Sequence, residues 1–494
     1  MSNEKTKVSG VTYQTQDATY FEKRELKRSA GIWGLWGLAV AAVISGDFSG
    51  WNFGIASGGF GGMLIAFGIL VVMYYGMMFS IGEMSSAMPH SGGAYSFARS
   101  AMGPWGGFIT GLAETIEYVA TTAVIVFFAA SYADGISTTL LNVHLDAWIW
   151  WVILYAAFIL LNGAGAHVSF RFAIIVSFMS IAILAVFSIM VLASGKFNWD
   201  SLFNIAADPG QSSFLPHGVI GILYAIPFAV WFFLGIEELP LAAEEAMDPS
   251  RDIPKAGFWA RGTLIILGLL VLFLNTGING AEATGAASEP LLDGFRAIVG
   301  DTWAAVLGLF ALIGLLASLQ GIMFAYGRNM YSLSRAGYYP QILSLTGKRK
   351  TPYVALIVGA VIGFVALLVI DFLAKLDPEG AGAVAGAIVL NIAVWGAMLA
   401  YLMQMASFIL LRRKFPNANR PYKSPWGNAG AWVALVISAL SFVGFLLNPV
   451  FQPAIYAIAV VYAIMLIIFA VWGRHRLVMS PEEEYAVSGG LHKD

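Results

Sequence analysis

An apolar segment running from about Gly31 to Ile55 is long enough to cross a bilayer. Its midpoint, however, reads Val43-Ile44-Ser45-Gly46-Asp47-Phe48-Ser49-Gly50-Trp51. Glycines weaken a helix, and an ionised Asp at mid-depth is costly and is normally retained for a function. The segment therefore predicts a helix that breaks inside the membrane. The freed N–H and C=O groups then line a cavity, the one place irregular backbone is tolerated at that depth.

The rest of the 494 residues fit that setting. The chain is 59% apolar and 11% charged, the composition of an all-α polytopic membrane protein whose partner is the lipid bilayer. A net charge of −2 gives no electrostatic case for nucleic acid, and with no cysteine there is no thiol chemistry. Met1 to Arg28 is polar and charged, unlike a cleaved signal peptide, so the first span itself must direct insertion.

A second helix opens at Gly58-Gly59-Phe60-Gly61-Gly62 and runs to about Ile81, followed by a connector through Pro89 to Tyr95. Further spans are expected near 104–133, 147–161 and 172–193. Helix six starts near Pro216 and holds a second odd midpoint, Leu234-Gly235-Ile236-Glu237-Glu238-Leu239-Pro240. Six more centre near Leu267, Ile313, Phe364, Val394, Ile437 and Ala463, making twelve. With the N-terminus inside, 24 of the 27 Lys and Arg fall on inner segments, leaving only Lys196, Arg296 and Lys375 outside. That asymmetry predicts both termini in the cytoplasm. The Glu482-Glu483-Glu484 run reads as a solvated, mobile end.

The two interrupted helices are five spans apart, so they enter the membrane in opposite directions. That is the pattern of two inverted five-helix repeats whose broken helices meet at a central site. The expected division is a tail over 1–28, repeats over 29–194 and 195–414, two accessory helices over 415–476, and a tail over 477–494.

The broken first helix, Glu83…Met88-Pro89…Gly92-Gly93-Ala94-Tyr95, Gly235-Ile236-Glu237 leading to Glu244-Glu245…Asp248-Pro249-Ser250-Arg251-Asp252-Ile253-Pro254, and Arg328…Ser334-Arg335-Ala336-Gly337-Tyr338-Tyr339-Pro340 resemble the amino acid–polyamine–organocation superfamily. More narrowly, Ser45-Gly46-Asp47-Phe48-Ser49-Gly50-Trp51 and Gly111-Leu112-Ala113-Glu114-Thr115-Ile116-Glu117-Tyr118 are similar to its ethanolamine permeases. The resemblance implies a leucine-transporter-like fold and a secondary transporter working by alternating access, with ethanolamine as substrate and a proton as a possible coupling ion. It implies substrate contacts at Ser45, Gly46, Asp47, Phe48, Glu117, Tyr118, Thr122, Trp231, Gly235, Glu237, Ile322 and Phe324. It also implies coupling or gating roles for Glu237, Glu238, Glu114 and Arg328, with Arg335 and the Pro89–Tyr95 connector beside them. Sodium symport in this fold uses helix-eight hydroxyls with helix-one carbonyls. Here Ser318 matches one such hydroxyl while Ala317 fills the neighbouring place, and Ser180 stands where some proton-coupled members carry a lysine.

Asp47 departs from the Gly-Ser-Gly of ordinary amino-acid carriers. A fixed carboxylate there would repel a substrate carboxylate by several kcal/mol at intermediate dielectric and attract an ammonium instead. Its alternatives are a cap on the second half-helix and an ion or proton site. Glu114, Glu117 and Thr121 share one helix face, where a protonated, structural Glu is the competing reading. Glu237 and Glu238 cannot easily both ionise. Trp231, Phe232, Trp51 and Phe324 are candidates for a cation cage, although aromatic residues at 14% of the chain mostly serve packing. The six histidines show no metal-ligand spacing, Gly347-Lys348-Arg349 lacks a phosphate-loop pattern, and neither an enzyme nor a cofactor is expected. An amino-acid or polyamine carrier of the same fold and a membrane amine sensor are the competing functions.

Overall fold

The protein is described here from a computed structural model covering residues 5–8, 10–14, 18–24, 26–378 and 384–488. Parts of both expected tails, 1–4 and 489–494, lie outside the described residues. The principal helices are α1 (Ile32–Val43), α2 (Phe53–Ala87), α3 (Gly93–Leu141), α4 (Ala147–Gly163), α5 (Ala166–Ser194) and α6 (Gly218–Val230). They continue with α7 (Pro249–Asn279), α8 (Asp301–Arg335), α9 (Tyr353–Leu376), α10 (Ala385–Lys414), α11 (Gly427–Leu447), α12 (Gln452–Val471) and a short α13 (Pro481–Ser488). Among the described residues nine helices are long and apolar enough to cross a membrane, while α1, α4 and α6 are shorter apolar helices.

Two of those three are short because they break where the sequence predicts. α1 stops at Val43 and tightens into a 3-10 turn over Ile44–Asp47. α6 stops at Val230, turns through 231–235, and resumes as a 3-10 helix over Ile236–Ala242. Conversely, α2 and α3 exceed one span because each joins two helices at a non-helical glycine, Gly59 (φ 72°) and Gly103 (φ 79°). Pro104, directly after Gly103, has a preset φ suited to starting the second piece. Ala94 and Tyr95 therefore belong to α3, and the connector is shorter than its sequence suggests.

Small residues let these helices approach backbone to backbone, as membrane packing favours. Gly37 of α1 lies against the backbone of Ile174 in α5, and Gly396 of α10 against the Ala113 carbonyl and Glu117 amide of α3. The outward faces carry exposed apolar side chains such as Val361, Val365 and Phe372 of α9 and Val460 and Ile467 of α12. Apolar bands of that extent belong against lipid.

The described ends meet on one side, the terminal face. Strands β1 (Lys5–Val8) and β2 (Val11–Gln14) form an antiparallel hairpin, and β3 (Leu477–Val478) adds to β2 in parallel. The acidic run after β3 is not a solvated end. Glu482 and Glu483 are 0% exposed, because α13 turns them inward onto arginines and tyrosines from remote parts of the chain.

Candidate functional site

The two breaks pack directly on each other. Gly46 sits so close under the Trp231 carbonyl and the Phe232 Cα that any Cβ would collide with them. The Trp231 indole N–H donates to the Ser49 carbonyl at 2.9 Å, and the Trp51 ring stacks on Phe232 at 5.6 Å. Gly235 holds φ at 105°, a region open at little cost only to glycine, and a side chain there would press on Ile322 of α8. Helix α8 supports the first break twice. Phe48 packs its ring on Gly314, while the Ser318 hydroxyl accepts from the Ser45 N–H at 2.8 Å and donates to the Ala41 carbonyl at 2.6 Å. From α3, the Tyr132 hydroxyl donates to the Phe48 carbonyl at 2.8 Å.

Around these breaks lie five buried carboxyl groups among the described residues, those of Asp47, Glu114, Glu117, Glu237 and Glu238. Both oxygens of Asp47, Glu117 and Glu238 have no hydrogen-bond donor among the described residues. Glu237 takes the Gly235 N–H at 3.1 and 3.2 Å. The Glu117 and Glu237 carboxyls lie against one another, a contact that is a hydrogen bond only when one carries a proton. The Tyr401 hydroxyl lies near the same Glu237 and pairs with Tyr74 at 3.1 Å. Glu114 points to α8, taking the Asn329 amide at 3.1 Å and the Tyr118 hydroxyl at 3.3 Å. Asp47 stands apart, with no charged side chain among the described residues acting on it.

Both ends of the site are closed. At the terminal face, Arg328 makes a two-pronged pair with Glu245 at 2.9 and 3.1 Å, with both side chains fully buried. Arg335 pairs with Glu244, which also accepts from the Ser91 N–H. Burial opposes ionisation of Glu244, but Arg335 and that N–H outweigh it and hold its carboxyl below the usual carboxylate range. On the opposite face, the Asn52 amide donates to the carbonyls of Thr284 and Ala287 at 2.9 and 2.8 Å, fastening the 281–286 helix over the first break. Nearby, burial raises Glu289 despite Arg296 at 3.2 Å and Ser131 at 3.0 Å. Asp47 is 1% exposed and Glu117 0%, so the site is occluded from both sides.

The structure thus brings Ser45, Gly46, Phe48, Trp231, Gly235 and Ile322 together at the crossing, with Glu117 and Glu237 as a touching pair. Glu238 lies next to Glu237 in the chain but makes no such contact. The cap on the second half-helix is absent, since the Asp47 oxygens accept from nothing described, whereas Asn52 takes the Gly50 N–H. Thr122 donates to its own helix at the Val119 carbonyl. Phe324 stacks under Arg328 at 3.6 Å and beside Phe170, making it part of the closed terminal side and already occupied by that guanidinium. Asn52, Tyr74, Asn329 and Tyr401 also lie against the candidate residues, and none of them is among the positions expected from the sequence. Polar groups inside long apolar helices were the signal available for the last three.

The amino acid permease family model matches residues 34–481 of the chain. Relatives include the branched-chain amino acid permease BcaP of Bacillus subtilis, 28% identical over 82% of this chain and 85% of that one. The histidine permease HisP of Lactococcus lactis is 26% identical over 78% and 80%, and an uncharacterised transporter of Rhizobium meliloti 27% identical over 85% and 87%. Among solved structures, a manganese transporter of Eremococcus coleocola superposes with a TM-score of 0.57 at 14% identity, covering 95% of this chain and 98% of that one. Mhp1, a nucleobase-cation-symport-1 family transporter, does so at 0.50 and 16% identity, covering 94% and 99%. The expected leucine-transporter-like architecture is the fold shared with these neighbours, and the chain belongs to the amino acid permease family of multi-pass membrane transporters.

Proposed function

We propose that this permease imports ethanolamine, or a close small primary amine, across the cytoplasmic membrane by alternating access, with its terminal face inside. The observation that carries this reading is the surplus of acid at the breaks. Asp47 and Glu238 are buried with unpartnered oxygens, Glu117 meets only another carboxyl, that of Glu237, among the described residues, and no described Lys or Arg pairs with them. An unpaired buried charge is strongly unfavourable, so a cationic ligand, together with protons, supplies what the chain omits. Trp231 and the stacked Trp51–Phe232 pair give the site aromatic faces suited to an ammonium.

The named permease relatives favour a second reading, an amino-acid substrate whose carboxylate rests on the N–H groups of the first break. Against it, the Ser45 N–H is already given to Ser318, and Asp47 would repel that carboxylate. The same Ser318 hydroxyl ties the Ala41 carbonyl and the Ser45 amide within the protein, which supports transport without sodium. The Glu117–Glu237 pair is the place where a coupling proton would reside. Labelled ethanolamine uptake into proteoliposomes tests the reading. Accumulation competed by ethanolamine but not by histidine or branched-chain amino acids is expected, and the reverse order of competition would establish the second reading. Binding without accumulation would make the protein a sensor.

A further inference from the structure

The tail that follows β3 is built into the closed terminal face. One carboxylate, Glu483, takes four donors: Tyr13 at 2.5 Å, Arg99 at 2.6 Å, Tyr95 at 2.7 Å and Tyr338 at 2.9 Å. These come from β2, the start of α3 and the loop after α8. Glu482 meets Arg335 at 2.5 Å, the same guanidinium that holds Glu244 beyond the second break at 2.6 Å. Tyr485 donates to the Ala87 carbonyl at the end of α2, at 3.1 Å. The Val478 N–H bonds to the Ala336 carbonyl at 2.9 Å. Twelve residues thus cross-link the inner ends of α2, α3 and α8 with the segment leaving the second break.

We propose that residues 477–488 form a latch that holds the site shut toward the terminal face, and that its withdrawal is a required step of opening on that side. Alternating access in an inverted-repeat transporter moves one bundle against the other around a fixed site. A strut tied to several inner ends opposes that movement until it lets go. Glu483 is the pin, because a buried carboxylate with four donors cannot leave without unpairing Arg99. Glu482 links the tail to the second break through the shared Arg335.

The test reads backbone amide hydrogen exchange and needs no substrate, so it is independent of the amine reading. In the doubly neutral variant Glu482→Gln/Glu483→Gln, exchange over 88–92 and 243–248 should rise at least ~10-fold while α10 and α11 stay unchanged. A change below twofold there, or an equal rise throughout the molecule, overturns the latch. A second variant keeps the question answerable if that one does not fold. A Cβ on Gly92 would lie 3.1 Å from the Glu482 Cγ, and the native chain has no cysteine, so Gly92→Cys/Glu482→Cys can be closed as a single disulfide. With the bridge closed, exchange in the two segments should fall to or below the wild-type rate, and reduction should raise it. Equal exchange in both redox states, with the cross-link verified by mass, overturns the proposal.

Discussion

Asp47 and Glu117 are both buried acids without donors, yet they differ in setting, and so should their variants. No charged side chain among the described residues acts on Asp47, so Asp47→Asn removes the acidic group that the described residues place at the first break. It should abolish ethanolamine binding, measured calorimetrically, with expression and monodispersity intact. An Asn variant binding within twofold of wild type would show that the carboxylate does not meet the amine. Glu117 shares its surroundings with Glu237, which can take over part of its work. Glu117→Gln should therefore weaken binding by only roughly 1–2 kcal/mol, the worth of one charge-assisted hydrogen bond. The residue types at the breaks were legible because acids and glycines inside apolar runs are rare. Their pairing was not. Adjacency in the chain suggests Glu237 with Glu238, whereas the turn through 231–235 sends Glu237 to a partner on α3.

At the scale of elements, hydropathy and glycine positions located the broken helices and most span boundaries, because burial in lipid imposes length and composition on each helix separately. Contacts between elements leave no such local trace. The Arg328–Glu245 pair is one, joining α8 to the segment after the second break with both side chains out of water. Glu245→Gln leaves the guanidinium uncompensated and should cost about 3–5 kcal/mol, seen as a lower unfolding midpoint in detergent. An unchanged midpoint would mean the charge finds another partner. The neighbouring Glu244 is held below the usual carboxylate range. Its contribution is present above its unfolded pKa, about 4.3, and is lost as pH falls through the lower folded value. This link should therefore persist in mild acid and fail only below about pH 4 in a pH series of melting curves.

For the whole molecule, ethanolamine is a cation at neutral pH, so an inside-negative potential alone favours entry by about 2.3 kcal/mol per 100 mV, roughly fiftyfold. Uptake should follow potential and pH, persist when sodium is replaced by potassium at fixed potential, and lose much of its pH dependence in Glu237→Gln. Loss of uptake without sodium would overturn this. The tail was the part of the molecule least visible in the sequence. Three consecutive glutamates read as a solvated end, and only the fold shows that Arg99, Arg335 and three tyrosines from three separate stretches converge on two of them.

The sheet also orders events during biosynthesis. Its second strand ends at Gln14 and the strand pairing with it begins at Leu477, so the two meet only after every intervening helix has been made. A growing chain therefore carries every long apolar helix before the strand that fastens the terminal face is made. The proposed latch is thus among the last parts of the terminal face to be made.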